Sequence, residues 1–141
     1  MNTVLRAGGL LAVSLILGAC SGAYDNPTGA PSATPGGLAP QVTVMEAAAL
    51  RDGGALVLDV REPSEWAAGH IPGATLIPLG ELASRLTELP SDRTIVTVCR
   101  SGNRSAQGRD ILLAAGFTTV TSMAGGMNDW VTAGLEVVTG P

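Results

Sequence analysis

Lysine is absent from this 141-residue chain, and all eight of its basic residues are arginine. With a net charge of −4 there is no lysine-rich patch to neutralise a phosphate backbone or an anionic lipid surface. Aromatic residues make up only 3% of the chain, too few to build base-stacking platforms. Together these absences exclude nucleic acid as an expected partner. There is a single histidine, His70, and the two cysteines, Cys20 and Cys99, lie far apart. No set of metal ligands at workable spacing results, so neither a metal nor any other cofactor is expected. The length leaves room for one domain.

What is present centres on residues 94–105. The run Thr94-Ile95-Val96-Thr97-Val98 is β-branched and mostly apolar, which predicts a short buried strand leading directly into Cys99. From 105 to 115, with Gln107, Ile111, Leu112 and Ala115, the spacing predicts a helix. Cys99 therefore stands at the carboxyl end of a strand, just ahead of a helix. The first N–H groups of a helix lack intrahelical acceptors and carry partial positive charge, so anions are favoured there. Arg100 and Arg104 add permanent cations. A thiol in such surroundings ionises more readily than a free one, and Cys99 is expected to act as a nucleophile. Gly102 lets the segment curl, so that the N–H groups of Ser101, Gly102 and Asn103 converge as an anion nest. Between polar neighbours, Cys99 is expected to open onto the loop cavity rather than to pack as a buried structural thiol. Ser105 is placed either to bond the thiolate or to cap the helix.

The first twenty residues have the layout of a secretory signal. Arg6 and the terminal amine precede an apolar stretch from 10 to 17, too short for a membrane-spanning helix of about 20 residues. Leu17-Gly18-Ala19-Cys20 resembles the lipobox of bacterial lipoproteins, with Gly18 where alanine or serine is commoner. The resemblance implies a signal of residues 1–19, lipidation of Cys20 and an extracytoplasmic, membrane-anchored protein. Residues 20–40 are rich in Gly, Ala, Ser, Thr and Pro, and are expected to form a flexible tether. With Cys20 lipidated, Cys99 has no intramolecular partner. A lone thiol outside the cytoplasm is a hazard, which favours a reactive role.

From 41 onward, helical and strand patterns alternate. Thr43 and Glu46 have capping-box spacing before a helix that Gly53-Gly54 stops. Residues 55–59 read as a buried strand ending in Asp59, and Pro63 opens a helix bearing Glu65 and Trp66. A strand at 75–77, a helix over 79–89, a strand at 117–121 after the stop at Gly116, and a helix over 127–133 complete the pattern. This alternation predicts an α/β fold, a mainly parallel sheet with helices on both faces. Sites in such sheets form at the carboxyl ends of strands, where both Asp59 and Cys99 lie. Trp66 and Trp130 are expected to anchor the core.

The loop Cys99-Arg100-Ser101-Gly102-Asn103-Arg104 resembles the six-residue active-site loop of the rhodanese (sulfurtransferase) family. Asp59-Val60-Arg61-Glu62-Pro63-Ser64-Glu65-Trp66, with Gly69-His70-Ile71-Pro72-Gly73-Ala74, resembles a second rhodanese motif. Gly125-Gly126 followed by Trp130 resembles a third. The likeness runs from about 42 to 135. It implies a rhodanese domain over 41–141, with a five-stranded central sheet and Cys99 carrying a sulfane sulfur as a persulfide. A donor such as thiosulfate and a thiol or cyanide acceptor are implied, and a protein acceptor is a further expected partner. Arg100, Ser101, Gly102, Asn103, Arg104 and Ser105 would then bind substrate, with the fork of Arg104 on the anion. Asp59 and Arg61 would support the loop, Glu65 would pair with an arginine, and His70 would be structural. Cysteine phosphatases carry one more residue before the arginine, so the spacing here favours sulfur over phosphate. The rival reading is a sulfur-carrier or protein-binding module at the membrane surface, without small-molecule turnover.

Overall fold

Local chemistry sets the ends of the elements. In the computed structural model, residues 37–141 are described, so the signal, Cys20 and the tether up to residue 36 lie outside the described residues. The first strand, β1 (Gln41–Val42), leads into helix α1 (Val44–Asp52). The Glu46 N–H donates to Thr43 Oγ1 at 3.3 Å and the Thr43 N–H donates to Glu46 Oε2 at 2.8 Å, completing the expected capping box. Strand β2 (Leu56–Asp59), helix α2 (Pro63–Ala68, opened by its proline), strand β3 (Thr75–Leu76) and helix α3 (Leu79–Leu82) follow. Next come β4 (Ile95–Val98), α4 (Asn103–Ala114), β5 (Val120–Met123) and α5 (Gly126–Thr132).

The five strands pair in the order β1-β5-β4-β2-β3, every pair parallel. Period-two alternation divides the sheet into two apolar faces. Val57, Val96 and Val98 pack with Ala47 and Ala48 of α1 and with Met127 and Trp130 of α5. Leu58 and Ile95 pack on the opposite face with Leu82 of α3 and Leu112 of α4. Gly108 lets α4 approach the sheet closely, because a Cβ there would stand 3.2 Å from Val60 Cγ1. From β2 the chain moves outward to β3, and from β4 it moves the other way to β5. The crevice between the carboxyl ends of β2 and β4 is thus the topological switch point, where ligands bind in open α/β sheets. Asp59 ends β2, and Cys99 follows β4 directly.

The sheet has the five strands that the family likeness implies, and the one assigned to no segment of the sequence is the two-residue β1. Three expectations are corrected. The helix expected over 79–89 is one turn, α3, followed by a 3-10 turn at Leu86–Glu88. Three-residue bonds from the Ser84 N–H to the Glu81 carbonyl and from the Arg85 N–H to the Leu82 carbonyl tighten the chain there. Leu79, Leu82, Leu86 and Leu89 still face one cluster. The strand expected at 117–121 is shifted to 120–123. The Phe117 N–H bonds the Leu112 carbonyl and the Gly116 N–H bonds the Leu113 carbonyl, so Phe117 belongs to a Schellman cap of α4. Trp130 is fully buried, whereas Trp66 is half-buried and stacks on the His70 ring, centroids 3.6 Å apart.

Candidate active site

Helix α4 begins at Asn103, two residues earlier than its apolar spacing predicts, so the cysteine loop is already folded into the helix's amino end. Gly102 is the residue before the first turn, with φ of 104°. That left-handed value is open to glycine and costly for other residues. It aims the Gly102 N–H at Cys99 Sγ, 3.1 Å away. The thiol in turn donates to Ser105 Oγ at 3.6 Å, and that hydroxyl donates to the Gly102 carbonyl at 2.8 Å. Ser105 therefore links sulfur and loop backbone instead of capping a helix N–H. Burial pushes the Cys99 thiol up, but the Ser105 hydroxyl and the backbone N–H groups of Ser105, Gly102 and Ser101 together outweigh it and hold the thiol below its ordinary value.

Cys99 is 1% exposed, which corrects the expectation of a thiol open to the loop cavity. It packs in the cluster of Leu58, Val60 and Ile95, and its polar needs are met from within the loop.

Arg104, expected to grip an anion, has both terminal nitrogens occupied. They donate to Glu65 Oε2 and Oε1, each at 2.8 Å. The Arg104 bonds hold the Glu65 carboxyl down at about 2, against a smaller opposing effect of burial. Glu65 is itself fixed through Arg61. The Arg61 guanidinium grips Asp59 at 2.6 and 2.9 Å and donates to the carbonyls of Glu65 at 3.3 Å and Gly69 at 2.8 Å. A continuous relay thus runs from the end of β2 through α2 to the first turn of α4. Asp59 and Arg61 reach the loop only indirectly, through Glu65.

A second support comes from β5 and α5. The Met127 N–H donates to the Cys99 carbonyl at 2.8 Å and the Asn128 N–H to the Arg100 carbonyl at 3.1 Å. These bonds hold the loop's carbonyls outward, leaving its N–H groups to face the sulfur. Gly126 makes the approach possible, since a Cβ there would stand 2.6 Å from the Arg100 carbonyl carbon. Thr97 adds a tie, donating from Oγ1 to the Ser105 carbonyl at 2.8 Å. Sequence reasoning matched Gly125 and Gly126 to a motif without finding this clamp, and it missed Thr97, whose β-branched side chain reads only as strand.

Arg100, Ser101 and Asn103 are exposed on the loop. Among the described residues, Arg100 makes no ion pair. His70 is buried, with Nδ1 3.0 Å from the Trp66 carbonyl and its backbone paired to Val138. Among the described residues no group of histidine, cysteine and acidic side chains converges as a metal site.

Residues 43–133 match the family described as the Rhodanese-like domain. The chain belongs to this family. The domain is 40% identical over 83 residues to a sulfurtransferase of Allochromatium vinosum, covering 59% of this chain and 78% of that one. It is 37% identical over 90 residues to the thiosulfate sulfurtransferase GlpE of Pseudomonas entomophila, covering 64% and 83%. A putative sulfur carrier protein of Bacillus subtilis, YrkF, is 42% identical over 74 residues, 52% of this chain and 40% of that one. Among solved structures, a rhodanese-related protein of Thermoplasma volcanium superposes with a TM-score of 0.66 at 30% identity, covering 71% of this chain and 98% of that one.

Proposed function

We propose that this rhodanese-like domain is a sulfurtransferase working by two displacements at Cys99. The observation that carries the reading is Cys99 Sγ set in a ring of backbone N–H groups, with Gly102 N at 3.1 Å and the thiol held below its ordinary value. A thiol lowered in this way gives up its proton to form the nucleophilic thiolate more readily, and the same N–H groups stabilise the anionic sulfur of a persulfide. In the first step the Cys99 thiolate attacks the outer sulfur of a donor such as thiosulfate. The new S–S bond forms as the donor's S–S bond breaks, and its electron pair leaves with sulfite. Arg100 and the loop amides face that departing charge, while Arg104, paired to Glu65, keeps the loop's shape. In the second step a thiolate or cyanide attacks the outer persulfide sulfur and returns the electron pair to Cys99. Relatives named as a sulfurtransferase and a thiosulfate sulfurtransferase support the reading.

The test is formation of sulfite and thiocyanate from thiosulfate and cyanide. Wild type turns over, and Cys99→Ser falls to the uncatalysed rate with an unchanged circular dichroism spectrum. Substantial turnover by a folded Cys99→Ser protein rules the assignment out. The relative named as a putative sulfur carrier favours a second reading, in which Cys99 holds sulfur for a partner protein. Persulfide on Cys99 without turnover to cyanide or thiols selects it. For location, we infer from Leu17-Gly18-Ala19-Cys20 an extracytoplasmic lipoprotein anchored through Cys20. Replacing Cys20 by Ala then moves the protein from the membrane fraction to the soluble one, and an unchanged distribution opposes the anchor.

A further inference from the structure

Thr97 stands on β4, two residues before Cys99, and is fully buried. By the alternation of a strand it shares the α4 side of the sheet with Ile95 and Cys99, where Leu58, Leu82 and Leu112 also pack. A hydroxyl among such side chains costs stability unless it is hydrogen-bonded. Strand formation does not explain it, because valine is as strongly strand-forming and carries no polar group. The hydroxyl has one hydrogen to donate. Its nearer acceptor is the Ser105 carbonyl at 2.8 Å, with the Thr121 carbonyl of β5 at 3.2 Å.

Ser105 is the third residue of α4 and is also fully buried. It reaches the sulfur twice, since its hydroxyl, 3.6 Å from Cys99 Sγ, and its backbone N–H both favour the thiolate. Thr97, Ser105 and Cys99 therefore close a circuit. Strand β4 fixes, two residues before the sulfur, the helical turn that meets the sulfur. The contact between Cys99 Sγ and Ser105 Oγ is already long, so a slight slip of that turn opens it. The other braces act elsewhere: Glu65 holds the Arg104 side chain, and the Met127 and Asn128 N–H groups hold the carbonyls of Cys99 and Arg100.

We propose that Thr97 is a positioning residue of the sulfur-transfer centre, its hydroxyl holding the first turn of α4 where Ser105 meets Cys99. This rests on the sulfur-transfer reading above and adds to it a residue that touches neither donor nor acceptor. The charged groups around the loop are Arg100 within it, Arg104 with Glu65 and Glu62 near it, Arg61 with Asp59, and Asp129 against Gly125. A neutral substitution at Thr97 changes none of these charges. Any change it makes in the ionisation of Cys99 therefore reports the placement of Ser105.

The test is the pH titration of ultraviolet thiolate absorbance in the full chain carrying Cys20→Ala, which leaves Cys99 as its one thiol, with the trace of Cys99→Ser subtracted. The rate of loading with sulfane sulfur from thiosulfate or polysulfide is read on the same proteins by intact mass. Thr97→Val is expected to move the midpoint upward by about half a pH unit or more, the worth of one weakened hydrogen bond. Loading at neutral pH is expected to slow by roughly tenfold, as misplaced reacting groups do. Thr97→Ser keeps the hydroxyl but leaves a small cavity, so it loses stability and yet titrates and loads as wild type does. Thr121→Val removes a fully buried hydroxyl of the neighbouring strand, one that bonds the Ala39 carbonyl at 2.7 Å, and leaves the midpoint unchanged. A wild-type midpoint or loading rate in folded Thr97→Val, or an equal upward shift in Thr97→Ser or Thr121→Val, overturns the proposal. If the midpoint moves as expected but no protein loads, wild type included, the hold of Thr97 on Cys99 stands and the sulfur-transfer reading fails.

Discussion

At Cys99, burial disfavours the thiolate while the Ser105 hydroxyl and convergent N–H groups favour it, and the net effect holds the thiol below its ordinary value. The residue types behind that balance are legible in the sequence, because a strand end, a glycine and a helix start occupy adjacent positions. Glu65 was expected to pair with an arginine, but that this is Arg104 is not legible, because the two lie 39 residues apart in the chain and meet only after folding. The pair carries a pH prediction. The Glu65 carboxyl sits at about 2 in the folded protein against an ordinary 4.5, so its contribution to stability is complete above about 4.5 and is lost as pH falls toward 2. Both side chains are partly exposed, and a pair of this kind contributes about 1 kcal/mol. Chemical denaturation of wild type and Glu65→Gln is expected to show wild type ahead by about 1 kcal/mol at neutral pH. That advantage shrinks through the window from 4.5 down to about 2. A constant difference across the window contradicts the assignment of this shift to folding.

Among the elements, the clamp between α5 and the cysteine loop decides the site's geometry. Gly126 has φ of 59°, and a side chain there collides with the loop backbone. Gly134 also has positive φ, at 70°, but nothing stands within 4 Å of where its Cβ would be. Comparing alanine at the two positions separates backbone strain from loop displacement. Both variants are expected to lose about 1 kcal/mol or more of stability. Only Gly126→Ala is expected to lose turnover as well, by about 100-fold, since small misplacements of reacting groups cost that much. Equal losses of turnover in the two variants contradict the clamp. The sequence showed elements best where length and periodicity agree, as in α1 and β4. It misread 79–89 because the leucine spacing reports a buried face, which a helical turn and a 3-10 turn maintain as well as a longer helix does. β1 has two residues and no period to detect, and Phe117 looked like strand because its use in the cap of α4 depends on Gly116.

For the described residues as a whole, the all-parallel sheet brings three motifs distant in sequence to one edge. Asp59 ends β2 with Arg61 just beyond it, Cys99 follows β4, and Gly125 with Gly126 follows β5. Their order in the chain was legible, and so was the α/β class. That Asp59 and Cys99 share the carboxyl ends of strands was legible too, but the approach of the Gly125-Gly126 motif to the loop was not, because it depends on β4 pairing between β2 and β5. Each motif bonds to another: Glu65 to Arg104, Met127 to Cys99, and Asn128 to Arg100. The cysteine loop is thus braced from both sides around one sulfur atom, and the account stands on that sulfur accepting another. The most direct test is the intact mass of the reduced protein before thiosulfate, after it, and after cyanide is added. The account predicts a gain of one sulfur, located on Cys99 by fragmentation, lost to cyanide and absent from Cys99→Ser. No gain in folded, reduced protein with thiosulfate, polysulfide or an organic persulfide contradicts it.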